Sequence, residues 1–266
     1  MTASASPERS VSGVPKALPR VSPLAVLIRL GALSLLLLLV LRPEFFEPLL
    51  RPLTENGAPA IYDQGSLLDL TLDHIALVAG STGVSAVVAV LLGILVTRPG
   101  GREFLPLSRT IVNVGQVFPP VAVLAIAVPL VGFGLKPTLI ALVLYGLLPI
   151  FENTIAGLDG VSAPVIDAAR GMGLGPWQRF LSVEWPLALP VILAGIRLSA
   201  VINIGTATIG STVAAKGLGE VILAGLGTSN TAFILQGGVI VGLLAVLVYD
   251  ALGLVEARLA RRAGRI

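Results

Sequence analysis

The sequence predicts an all-α integral membrane protein of about six transmembrane helices with both termini in the cytosol. Three observations carry that reading. Of 266 residues, 55% are hydrophobic and 12% charged, about half the charge of an average soluble domain. Mean hydropathy is +0.94. Several apolar runs approach the roughly 20 residues needed to cross a hydrocarbon core. This composition excludes a disordered chain, a collagen-like chain and an ordinary soluble domain.

The spans follow in order. The first, 24–41, centres on the apolar run 35–41, with Arg29 near its inner end, where it can snorkel. The next residues, from Arg42 to Phe46, offer no small-residue cleavage site, so the segment reads as a retained anchor rather than a signal peptide. The second span, 74–96, opens on His74 as an interfacial polar residue. The third, 110–135, contains Pro119, Pro120 and Pro129 and is expected to be kinked or split. The fourth, 137–155, ends near Glu152 and Asn153; the fifth, 187–208, contains Arg197. In the sixth, 232–252, Gly238 and Gly242 have the small-xxx-small spacing of close helix packing. Between the last two, Lys216-Gly-Leu-Gly-Glu220 reads as a turn or the start of a short re-entrant helix, since 221–227 is apolar but too short to cross.

This divides the chain into a flexible cytosolic tail (1–22), a first helix with an acidic extracytoplasmic loop (23–72), a membrane core (73–255) and a basic cytosolic tail (256–266). Basic residues gather on one side: Arg9, Lys16, Arg20 and Arg29; Arg98, Arg102 and Arg109; Arg170 and Arg179; Arg258, Arg261, Arg262 and Arg265. The other side carries Arg42, Arg51, Lys136 and Lys216. The bias places the first side in the cytosol. The net charge of +3 and pI of 9.7 therefore reflect membrane topology, and no nucleic-acid partner is expected.

Enzyme chemistry finds no support. There is no cysteine and a single histidine, so thiolate metal sites and a paired-histidine zinc site are excluded. No phosphate-binding Gly-Lys-Ser/Thr loop and no Gly-x-Ser-x-Gly elbow occurs. No catalytic residue, metal or resident cofactor is expected, and energy must come from a partner or an ion gradient. An ion-coupled secondary transporter would need buried carboxylates or broken-helix ion sites, and the uncharged spans lack Asp and Glu.

The segment 157–186 carries the function. Ser162 can cap a short helix, with Pro164 in its first turn. Gly171, Gly173 and Gly175 then break the chain, and Pro176 starts a second short helix to about 182 that Pro186 ends. Ala168 and Ala169 keep one face shallow for a close-fitting partner, and Gly173 lets the chain reverse.

These residues resemble the EAA signature of ABC-importer permeases: an acid, two alanines, three residues, a glycine, nine residues, an aliphatic residue and then Leu-Pro. Asp167, Ala168, Ala169 and Gly173 match, as do Val183 and Pro186; Asp stands for Glu, and Trp185 for Leu. The resemblance implies a type I ABC-importer permease (MetI-like) architecture in the bacterial inner membrane. It also implies that this loop is a coupling helix docked on cytosolic ATPase subunits, which hold the ATP and Mg. A second permease subunit, identical or paralogous, and an extracytoplasmic substrate-binding protein are implied with it.

Further stretches resemble the osmoprotectant permeases for glycine betaine, choline and carnitine: Gln116-Val-Phe-Pro-Pro120, Gly132-Phe-Gly-Leu-Lys-Pro137, Leu148-Pro-Ile-Phe-Glu-Asn-Thr154, and 201–210 leading to Lys216–Glu220. A permease for another small solute, such as an amino acid or sulfonate, shares the coupling signature. Aromatic cages hold quaternary amines, yet the chain has 2 Trp, 3 Tyr and 8 Phe, so selectivity is expected in the binding protein. Arg197 could line an inner gate or pair with an acid. Asn203, Thr206, Thr208 and Gln116, with Asn113, could line the path or bond between helices.

Overall fold

The computed structural model describes residues 23–262 and 264; the tail expected over 1–22 lies outside them. Helix α1 (Pro23–Leu41) leads into short helical turns at Pro43–Phe46, Glu47–Leu50 and Arg51–Leu53. Helices α2 (Leu67–Thr97), α3 (Leu105–Val117), α4 (Pro120–Val131) and α5 (Leu135–Asp159) follow. The short α6 (Ala163–Gly171) precedes a continuous helical segment, α7 (Pro176–Val213). The short α8 (Gly219–Gly227) and the long α9 (Thr231–Arg262) complete the fold. Five helices are long and apolar enough to cross a membrane, and six spans result if the bent pair counts as one. No strand occurs among the described residues.

The third span is split as expected, into two helices bent by 96°. Phe118 (ψ 131°) and Pro119 (ψ 140°) are extended, because a residue before proline is pushed out of the helical region. Other expectations need correction. The second span starts well before His74: Ser66 caps it, its Oγ accepting the Asp69 N–H at 3.2 Å. His74 is therefore buried at 1% exposure, its Nε2 3.0 Å from the Ile204 carbonyl. Gly238 and Gly242 face away from the bundle with nothing near their absent side chains. The packing glycine is Gly237, one position or about 100° round the helix, set against Val221 and Ile222 of α8.

Another correction concerns Pro186, which does not end a helix. A proline inside a helix clashes with the carbonyl four residues back and offers it no N–H. Here the helix widens into a π-turn over Phe180–Glu184, closed by the Trp185 N–H on the Phe180 carbonyl. The chain thus runs unbroken from the short helix into the span.

Helix α5 is the centre of the bundle, packed along α2 and α7; α9 lies on α7, and α1 on α9. Leu142, Ile150 and Phe151 fill the interior at 0–1% exposure. Small residues set the spacing. A Cβ on Gly146 would stand 2.7 Å from the hydroxyls of Ser85 and Ser199, and one on Gly195 2.7 Å from the Pro149 carbonyl. Asn203, fully buried, donates to Thr82 Oγ1 at 3.1 Å and links α7 to α2.

Three arginines pair with acids on other helices. Arg29 bonds Asp250 at 3.1 Å, joining α1 to α9. Arg197 forms an ion pair with Glu256 at 3.0 Å and lies 4.4 Å over the Tyr249 ring, joining α7 to α9. Arg109 of α3 donates through two nitrogens, at 2.8 and 2.9 Å, to Glu152 of α5; Glu152 is not a helix terminus, since α5 runs on to Asp159.

Gln116 has a specific structural task. Pro149 lies inside α5 and cannot donate to the Tyr145 carbonyl four residues earlier. Gln116 Nε2 donates to that carbonyl instead, at 3.1 Å. Replacing Gln116 by Ala leaves a carbonyl unpaired in an apolar layer, at a cost of about 1–3 kcal/mol. A lower thermal midpoint in detergent, with helix content retained below it, is the expected measurement.

Candidate functional site: the elbow between α5 and α7

The elbow is built by local backbone rules. Ser162 is extended (ψ 140°), with Pro164 in the first turn of α6, where a missing N–H costs nothing. Ser162 caps through its backbone only: its carbonyl accepts from Val165 and Ile166. The helix ends in a Schellman motif: the Leu174 N–H reaches the Ala169 carbonyl at 3.1 Å, and the Gly173 N–H the Arg170 carbonyl at 2.9 Å. That motif needs a left-handed residue, and Gly173 supplies it at φ +80°.

The signature residues divide by face. Ala169 is buried at 1% exposure against the base of the elbow. Asp167, Ala168 and Gly173 are exposed. Asp167 pairs with Arg170 at 3.2 Å along the helix surface. Val183 and Pro186 are half-buried, Val183 inside the π-turn and Pro186 just after it. Met172, Trp177 and Leu181 stand out at 72%, 73% and 59% exposure. The elbow is thus a short braced projection that exposes Met172, Trp177 and Leu181 beside the Asp167–Arg170 pair, a shape suited to a groove in another protein.

The base of the elbow is locked. Phe180 packs with Leu158, Ala188 and Ile192, and Trp177 meets its ring edge-on at 5.8 Å. Glu184 accepts from Arg98 at 2.6 Å and from Arg179 at 3.0 Å. Arg102 reaches Asp159 at 3.6 Å. Sequence reasoning missed Arg98, Phe180 and Glu184 as a unit. The available signal was an acid lodged between Val183 and Trp185 in an otherwise apolar stretch.

The structure does not gather the residues considered for a path. Gln116 serves the α5 carbonyl, Asn203 the α2 hydroxyls, and Arg197 the acid on α9. Thr206 and Thr208 return hydrogen bonds to the Ile202 and Gly205 carbonyls. None of the five lines the cavity of about 470 Å³ between α2, α7 and α9, whose polar lining is His74 and Thr82.

Residues 89–263 match the family described as binding-protein-dependent transport system inner membrane component. The osmoprotectant import permease protein OsmY of Salmonella typhimurium is 39% identical over 197 residues, covering 74% of this chain and 84% of that protein. The carnitine transport permease protein OpuCB of Listeria monocytogenes is 42% identical over 201 residues, covering 75% and 91%. An inward-facing structure of the MetNI methionine ABC transporter superposes with a TM-score of 0.64 at 23% identity, covering 73% of this chain and 95% of that one, which shows the shared fold. The chain is an inner-membrane transport permease, not a catalytic protein. It belongs to the family of binding-protein-dependent transport system inner membrane components.

Replacing Gly173 by Val forces a β-branched residue into the left-handed region, at about 1–2 kcal/mol. The expected outcome is faster tryptic cleavage after Arg170 with the helical content of the membrane bundle unchanged.

Proposed function

We propose that this chain is the membrane-spanning subunit of an ATP-driven importer for osmoprotectants of the glycine betaine, choline and carnitine type. The observation that carries the reading is the exposed, rigidly braced elbow bearing Asp167, Ala168, Ala169 and Gly173, in a chain similar to osmoprotectant and carnitine permeases. Basic residues flank the elbow end of the bundle and support placing it, with both termini, in the cytosol.

In this reading the elbow's exposed face sits in a groove of a cytosolic ATPase, which holds ATP and Mg. Closure of two ATPases moves the elbow. A pair of permease subunits, identical or paralogous, then turns from inward-open to outward-open beneath a loaded extracytoplasmic binding protein. That partner supplies most of the selectivity, because both tryptophans of this chain, Trp177 and Trp185, lie at the elbow rather than in a cage. Hydrolysis resets the pair. Of the polar residues considered for the path, Thr206 and Thr208 are the ones we assign to it, since they bond only within their own helix. Arg197, Asn203 and Gln116 serve packing.

The test is uptake of radiolabelled betaine, choline and carnitine into vesicles holding this chain with its ATPase and binding protein. Uptake that requires ATP and is lost on replacing Gly173 by Val is expected. Uptake that persists without ATP and follows a Na⁺ or H⁺ gradient overturns the importer reading. ATP-driven uptake of methionine or a sulfonate, with none of the three amines, overturns the substrate class.

A further inference from the structure

Positions five apart on a regular α-helix are rotated by about 140° and cannot pair. Arg179 and Glu184 are five apart, yet Arg179 Nε donates to Glu184 Oε1 at 3.0 Å. The π-turn over Phe180–Glu184 makes this possible: its extra residue brings the two side chains onto one face. From the other direction comes Arg98, the residue that ends α2. Its Nη1 donates to Glu184 Oε2 at 2.6 Å, and its guanidinium stands 4.8 Å over the Phe180 ring. The Glu184 side chain is 8% exposed. One buried carboxylate therefore holds two guanidiniums from two different helices, in a setting where losing a partner strands a charge.

The placement matters mechanically. The elbow is continuous in sequence with α5 and α7, so its movement reaches them through the backbone. Helix α2 has no such connection; at the elbow's base, Arg98 on Glu184 ties it in. The same carboxylate braces the π-turn, the kind of irregular turn at which helices bend. Without the brace, displacement of the elbow would be absorbed by bending at Phe180–Glu184.

We propose that Glu184 is a positioning residue of the transport cycle, holding the end of α2, the π-turn and the elbow as one rigid body so that elbow movement drives α2 together with α7. This rests on the reading of the elbow as the ATPase-docking element. It adds a residue whose role is to transmit force rather than to touch the solute or the ATPase.

The experiment measures solute imported per ATP hydrolysed by the complete complex in vesicles, with Glu184→Gln, Arg98→Gln, Arg98→Lys and the double variant Arg98→Gln/Glu184→Gln. The expected result is that the glutamine variants co-purify with the ATPase and hydrolyse ATP, while solute per ATP falls about tenfold. Arg98→Lys recovers most of the loss, and the double variant falls no further than either single. A role in stability alone would lower yield and leave solute per ATP unchanged, and that result overturns the proposal; so does additive loss in the double variant. If Glu184→Gln fails to assemble, the Arg98 pair decides: a low ratio for Gln restored by Lys supports the clamp, and a wild-type ratio for Gln overturns it. A wild-type complex whose import is independent of ATP overturns the docking reading itself.

Discussion

The close approach of α2, α5 and α7 is the constraint from which the rest of this architecture follows. In a bilayer, lipid tails are as apolar as leucine, so helices associate through packing and polar contacts rather than through release from water. Gly146 lets α5 touch Ser85 and Ser199 at once, and Gly195 brings α7 onto the Pro149 carbonyl. At that spacing no layer of large side chains separates the backbones. Hydroxyls and amides such as Ser85, Asn203 and Gln116 then reach carbonyls and hydroxyls on the neighbouring helix. The polar residues of the core are a product of that intimacy.

The charged residues obey the same logic at the margins. A lone charge at mid-membrane costs about 2.5–3.5 kcal/mol on insertion scales. Arg29, Arg109 and Arg197 each meet an acid on a different helix. These pairs join α1 to α9, α3 to α5 and α7 to α9. Around the elbow, Arg98, Arg102 and Arg179 do the same for the turns that project from the bundle.

Much of this was legible in the sequence. The apolar runs located the spans, and the prolines at 119 and 120 announced the break. The Ser–Pro start and glycine stop of α6 were read within a residue or two, because capping and left-handed turns are local rules. What was not legible depends on partners distant in sequence. Arg197 allowed two readings until Glu256 was seen beside it. Gln116 looked like a path residue because the orphaned Tyr145 carbonyl becomes visible only when α3 lies against α5. Pro186 was read as a stop because the alternative, a π-turn braced by Arg98 from another helix, is not written in the local sequence. The face of α9 was misjudged by a single position, since periodicity gives spacing but not the absolute rotation.

Helix α9 has 32 residues, about 48 Å at 1.5 Å per residue, against a hydrocarbon thickness of about 30 Å. It therefore carries surplus length, and its last turns hold Arg258, Arg261 and Arg262 exposed. A hydrophobic segment longer than its membrane accommodates by leaning. The arginines mark the limit of that lean, since they must stay among headgroups and water. The surplus length thus lets α9 adapt to bilayers of differing thickness while its terminal arginines stay in water.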